Sequence, residues 1–317
     1  MKKIILKIIP LLLLFSSFTY AQNFNLNSLN SKDLDFSSDK GFFDLIKSDP
    51  QPAANETENR KEWTVMVYIN GKNDLSRYGV KDVNEMEKVG STSKINIVVE
   101  LGTEDEKTER FLVKKDNYPT LVTSKPLEIL KGEDMGDWRH LVDFASWTKK
   151  KFPAKRYMLV IWNHGDGWVT SKGISYDDET DNHISTPELG LAMKEIGKVD
   201  ILAMDACLMQ MAEVAYEVKD YADIIVASEE TEPVDGYPYD KILKKMAKMT
   251  KKSNEAIAKN IVTEYEKFYS LKESVTQSAL KTNKLDSLVS SLDDWAETAM
   301  QIEDKTPLIS ALNLAAS

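Results

Sequence analysis

The chain is nearly devoid of cysteine and poor in histidine. One cysteine, Cys207, and three histidines, His140, His164 and His183, occur in 317 residues. A single thiol can close no internal disulfide, so the fold does not rest on cross-links. Paired Cys/His zinc spacings are absent, as are C-x-x-C, H-E-x-x-H, a Walker loop and a G-x-S-x-G elbow. No Lys/Arg-rich patch stands out and the net charge is −10. Nucleic acid and anionic membrane are therefore not expected as partners. Beyond the N-terminus, no apolar run is long enough for a membrane helix.

What is present begins with "MKKIILKIIPLLLLFSSFTYAQ". Basic residues, a short apolar run and small residues before Gln22 read as a secretory signal at 1–21, cleaved after Ala21. The product is expected to be secreted or periplasmic. Residues 22–61 are rich in Asn, Ser and Asp and read as a disordered spacer or pro-segment. Residues 62–317 are long enough for one large domain. A free thiol in an oxidising compartment is a liability that calls for a reason.

Apolar runs alternate with helical patterns. Strands are expected at 63–69, 95–101, 157–162, 199–205 and 222–228, with a short edge strand at 110–115 and another strand at 274–280. Helices are expected at 75–90, 137–152, 208–220 and 253–270. This alternation predicts an α/β fold, a three-layer α/β/α sandwich with a mostly parallel central sheet. In such sheets, sites lie beyond the C-terminal ends of strands. His164 follows one core strand in "LVIWNHGDGW" and Cys207 follows another in "DILAMDACLM". If those strands are neighbours, the two residues share a rim.

A thiol becomes a good nucleophile when an imidazole takes its proton. Cys207 precedes an expected helix, whose N-terminal dipole would favour the thiolate. Gly165 and Gly167 beside His164 let backbone N–H groups approach an oxyanion. Either residue alone has a bland explanation, a buried thiol or a surface imidazole. Together they form the parts of a cysteine acyl-transfer enzyme. His140 lies inside an expected helix and reads as structural. His183 reads as a solvated loop residue.

The acidic stretch "DDETDNHISTPE" places Asp177, Glu179, Asp181 and Glu188 in an EF-hand register, making Asp177, Glu179 and Asp181 weak calcium candidates. Asn182 stands where that loop needs glycine. Ser185 and Glu188 also form a capping box, which explains Glu188 without a metal and is the favoured reading.

"VYINGKNDL", "IWNHGDGW", "DACLMQMAEVAYE" and "ASEETEPVDGYPYDKIL" resemble the clostripain family of cysteine peptidases. The resemblance implies a caspase-like fold and a secreted endopeptidase that cuts protein or peptide substrates after Arg or Lys. It assigns Cys207 as nucleophile, His164 as base and Gly165 to the oxyanion hole. Asp205 and Asp235 are assigned to the pocket for the basic side chain. No cofactor is required, although the resemblance leaves calcium open. It also implies self-cleavage between histidine and cysteine. Lys172, in the polar stretch "VTSKGISYDDET", is the candidate point, ahead of Lys194 and Lys198 on or near a helix. A monomer is expected, with a C-terminal part shorter than is usual for the family. The rival readings are a catalytically silent binding protein and a transpeptidase.

Overall fold

The computed structural model describes residues 60–105, 107–118, 120–168 and 172–315. The signal at 1–21, and all but the last two residues of the 22–61 segment, lie outside them. Among the described residues, 60–285 form one compact unit and 286–315 belong to a second. No helix among them is long and apolar enough to cross a membrane.

The first unit is built on an eight-stranded sheet. Its strands are β1 (Lys61–Gly71), β2 (Ile95–Thr103), β3 (Lys107–Leu112), β4 (Glu128–Lys131), β5 (Ala154–Trp162), β8 (Val199–Asp205), β9 (Ala222–Ala227) and β10 (Ser278–Lys281). The order is β10-β9-β8-β5-β1-β2-β3-β4. The five central strands are parallel. The edges formed by β10, β3 and β4 are antiparallel. A separate hairpin pairs β6 (Gly173–Asp177) with β7 (Asn182–Ser185).

Strand alternation divides the core. Val65, Val67, Ile69, Val160, Trp162 and Ala203 face α1 (Ser76–Glu87), α5 (Tyr239–Met246) and α6 (Asn254–Tyr269). Met66, Tyr68, Leu159, Ile161, Leu202 and Met204 face α2 (Trp138–Lys151), α3 (Thr186–Ile196) and α4 (Ala212–Val218). Both faces are covered, which is why β1, β2, β5 and β8 read as continuous apolar runs. The three-layer α/β/α expectation is met. The second unit holds α7 (Leu285–Gln301) apart from its first residue, and α8 (Thr306–Ala315). In α7, Leu285, Leu288, Leu292, Ala296 and Ala299 recur at the helical period.

Several local expectations need correction. The edge strand β3 starts at Lys107 instead of Arg110, because its polar first half pairs with β4. The polar stretch from Gly173 onward is not an open loop: Gly173, Ile174 and Ser175 are buried in β6. His183 sits in β7 and stacks on Tyr176, with ring centroids 4.7 Å apart. The capping box of Ser185 and Glu188 is present at the start of α3. His140 is structural, its two ring nitrogens lying 2.7 Å from Glu100 and 3.3 Å from Glu133. Burial lowers its pKa, but these carboxylates outweigh burial and the net shift is upward.

Candidate active site

β5 and β8 are adjacent and parallel, with Trp162 opposite Asp205. Two residues beyond that pair stand His164 and Cys207, on the same rim. The Asn163 N–H still donates to the Asp205 carbonyl at 3.3 Å, so the two chains stay in register as they leave the sheet. Gly165 then packs against the cysteine's turn. A Cβ on Gly165 would lie 2.4 Å from the Cys207 carbonyl oxygen and 3.0 Å from the Ala206 Cβ, so a side chain has no room there. Gly165 also faces Ile174 across an isolated bridge. That bridge is closed by the Asp166 N–H and the His164 carbonyl, and does not use the Gly165 N–H.

Cys207 is half-buried. Its Sγ accepts the Glu232 N–H at 3.2 Å, a donor that suits a thiolate as well as a thiol. Leu208, the next residue, has φ +61°, a strained conformation for a branched side chain. The strain turns the chain away sharply after the thiol. The Leu208 N–H is bonded to the Glu230 carbonyl at 3.1 Å. The expected helix after Cys207 is delayed: α4 begins at Ala212, with Met211 as its N-cap. No helix N-terminus therefore lies at the sulfur, and Asp205 caps no helix.

His164 is oriented by a residue that the sequence reading passed over. Its Nε2 lies 2.8 Å from Asp74 Oδ1. An ionised carboxylate can only accept, so Nε2 carries the hydrogen and the neutral ring keeps its lone pair on Nδ1. The "NGKNDL" turn after β1 delivers Asp74. Asn70 Oδ1 accepts the Lys72 N–H and Asn73 Oδ1 accepts the Leu75 N–H, fixing the turn. Asn70 and Asn73 both donate to the Tyr176 carbonyl, at 3.0 and 2.7 Å. Asn163, just before the histidine, donates to the Asn70 carbonyl at 2.5 Å. The signal available in sequence was an acid in an Asn-rich turn at a strand's C-terminal end, on the rim that carries His164.

A group of acids lies beneath this rim. Asp205 is buried and accepts the Tyr239 hydroxyl at 2.8 Å and the Tyr237 N–H at 3.1 Å. Burial pushes its pKa up to about 6, against the pull of hydrogen bonds from Glu232 and Tyr239. Burial, with the neighbouring Asp205, holds Glu232 well above the usual carboxylate range. Asp82 on α1 is also raised, first by burial and then by Asp205, and its Oδ2 accepts the Trp162 indole N–H at 2.8 Å. Gly236, with φ +57°, lies against Asp205, where a Cβ would meet Oδ1 at 3.0 Å. The preceding residue, Asp235, is half-exposed and pairs with Lys81 Nζ at 2.6 Å. Glu232 and Asp82 were not singled out in the sequence.

The calcium candidates fall elsewhere, on the β6–β7 hairpin, and the helix–loop–helix frame of an EF-hand is not there. Asp177 accepts the N–H groups of Met135, Glu179 and Thr180. Glu179 pairs at 2.8 Å with Lys72, whose side chain is fully buried. Asp181 sits in the tight turn with φ +54°. Among the described residues, no group of three or more His, Cys, Asp or Glu is placed to hold a metal ion. Lys172 immediately precedes β6 and pairs with Asp166 at 3.0 Å, and residues 169–171 lie outside the described residues. Lys194 is on α3, as expected.

The model of the clostripain family matches residues 67–316. The chain belongs to the clostripain family. It is 28% identical to clostripain of Hathewaya histolytica over 230 residues, covering 60% of this chain and 43% of that protein. The chain thus spans less than half the length of that curated relative. A secreted C11 cysteine protease from Bacteroides thetaiotaomicron, solved with an irreversible peptide inhibitor, superposes with TM-score 0.65 and 25% identity, covering 73% of this chain and 69% of that one. An inactive zymogen C11 protease from Parabacteroides distasonis superposes with TM-score 0.60 and 25% identity, covering 73% and 65%. The caspase-like architecture implied by the motifs is therefore the one observed.

Proposed function

We propose that this clostripain-family chain is a secreted cysteine endopeptidase that hydrolyses peptide bonds after Arg or Lys, with Cys207 as nucleophile and His164 as base. The observation that carries the reading is the shared register of β5 and β8, which sets His164 and Cys207 at equivalent positions on one rim with Gly165 against the cysteine's carbonyl. In the reaction His164 Nδ1 accepts the thiol proton and Sγ attacks the scissile carbonyl carbon. The C=O π pair moves onto oxygen, where the Gly165 N–H is the proposed donor. The C–N bond then breaks, and the imidazolium returns the proton to the departing amine. Water, deprotonated by the same imidazole, cleaves the thioester and restores the thiol. Asp74 holds the ring in the tautomer that this sequence requires.

Specificity for a cation needs carboxylates, because an unpaired buried charge is costly. Asp205 and Asp235 fill this role in the proposal, on either side of the Gly236 turn. Self-activation by cleavage after Lys172 belongs to the same reading. The deciding experiment compares wild type with Cys207→Ala on short peptides bearing Arg, Lys or a neutral residue at the cleaved position. Turnover restricted to Arg and Lys peptides and lost in Cys207→Ala is the expected result. Equal turnover of neutral peptides refutes the specificity, and an active Cys207→Ala refutes the nucleophile. N-terminal sequencing of the mature enzyme tests Lys172: fully active enzyme consisting of one uncut chain excludes it.

A further inference from the structure

The acids beside the nucleophile already have a cation at their edge, and it comes from the chain itself. Lys81 and Asp82 are consecutive on α1 and turn to different depths. Asp82 points inward, is 1% exposed, and leaves its Oδ1 without a hydrogen-bond partner. Lys81 stays at the surface, with 41% of its side chain exposed, and places Nζ 2.6 Å from Asp235 Oδ1. Burial alone would lower the Lys81 pKa, but Asp235, Asp82 and Glu85 together raise it, so the ammonium stands in the field of several carboxylates. The same acids act on one another: Asp205 raises Asp82 and Glu232, and Glu85 raises Asp205. Lys88, a further lysine within reach of Glu85, lies nearly two turns along α1.

We propose that Lys81 is a specificity-determining residue, a resident counter-ion on Asp235 that competes with the substrate's Arg or Lys side chain. This rests on the proposed pocket of Asp205 and Asp235. A second cation brought to Asp235 meets the charge of Lys81 as well as the carboxylate, so the two compete for it electrostatically. The pair with Lys81 is half-exposed on both sides, so it is weak and opens readily. Lys81 therefore does not close the pocket. It keeps Asp235 neutralised until a substrate cation arrives, and it narrows the margin by which a basic side chain is preferred over a neutral one. Its own long chain, anchored on a helix, swings to solvent when displaced and carries no ordered structure with it.

The test is kinetic, using matched peptides with Lys or its neutral isostere norleucine at the cleaved position. Lys81→Met removes the competitor and keeps the aliphatic stem. Its KM for the Lys peptide is expected to fall about two- to fivefold, the range set by an exposed ion pair, with kcat unchanged. The norleucine peptide should show no change. Lys81→Gln should behave in the same way. An unchanged or raised KM for the Lys peptide overturns the proposal, since Lys81 then is a bystander or supports the Asp235 loop. Equal shifts on both peptides overturn it too, because the effect is then not electrostatic. A wild type that cleaves both peptides equally well removes the pocket itself, which is a failure of the underlying reading and is seen without any Lys81 variant.

Discussion

His164 Nε2 and Asp74 Oδ1 lie 2.8 Å apart, joining the end of β5 to the turn after β1. Both groups are substantially exposed, so the pair adds little to stability. Its value is orientation. Asp74→Asn can present its amide N–H to Nε2 and so favour the wrong tautomer. The expected result is a fall in kcat of ten- to a hundredfold, an altered acid limb of the pH–rate profile and an unchanged KM. Asp74→Glu should recover part of the rate. A variant with wild-type kcat and pH profile would show the contact to be incidental.

The proposed dyad of Cys207 and His164 makes a stronger demand. Cys207→Ala should abolish turnover, and His164→Ala should remove most of it, because nucleophile and base act as a unit. Neither side chain fills the core: His164 is 45% exposed and Cys207 is half-buried. Both variants should therefore melt within a few degrees of wild type. Alkylation by iodoacetamide offers a second readout, rapid near neutral pH in wild type and slowed in His164→Ala. Equal alkylation rates would separate the histidine from the thiol.

Lys72 offers a different kind of test. Its fully buried ammonium binds Glu179 at 2.8 Å and the Glu133 carbonyl at 2.7 Å, tying the β1 turn to the β6–β7 hairpin. Removing one partner of a buried pair strands the other. Lys72→Met should cost about 3 kcal/mol. The melting temperature of the unit would then drop by roughly 6–12 °C. Calcium should leave the wild-type melting temperature unmoved, since Lys72 already neutralises Glu179 and amides already occupy Asp177. A clear rise with calcium would reinstate the hairpin as a metal site.

The parallel core was readable because both faces are covered. Continuous apolar runs such as "WTVMVYI" and "YMLVIW" admit few other readings, and their ends locate the rim that carries His164 and Cys207. The edges were less readable. β4, "EILK", is four residues long and half-exposed. The β6–β7 hairpin hides Ile174 and Ile184 among acids, so composition indicates a loop there. The delay of α4 was also hidden, because "LMQM" carries apolar residues while its backbone departs from the helix at Leu208. Glu232 and Asp82 in the acid group escaped for another reason. Asp82 looks like an ordinary polar position on an amphipathic helix, and only packing shows it turned inward beside Asp205.

That burial has a consequence for stability with a definite sign. Asp82 ordinarily titrates near 3.8, and burial raises its pKa well above that value in the folded chain. Asp205 moves in the same direction, to about 6. An acid whose folded pKa is raised binds its proton more tightly when folded, so stability falls as pH climbs from about 4 through the folded pKa. At pH 8, a shift like that of Asp205, from 3.8 to about 6, costs about 3 kcal/mol. Asp82→Asn keeps an acceptor for the Trp162 indole and cannot ionise. Its melting temperature should match wild type near pH 4 and exceed it by a few degrees at pH 8. Ion pairs elsewhere titrate alike in both proteins and cancel in the comparison. A variant that is less stable than wild type at pH 8 would mean that the Asp82 charge is compensated in the fold, and that burial does not set the sign of its contribution.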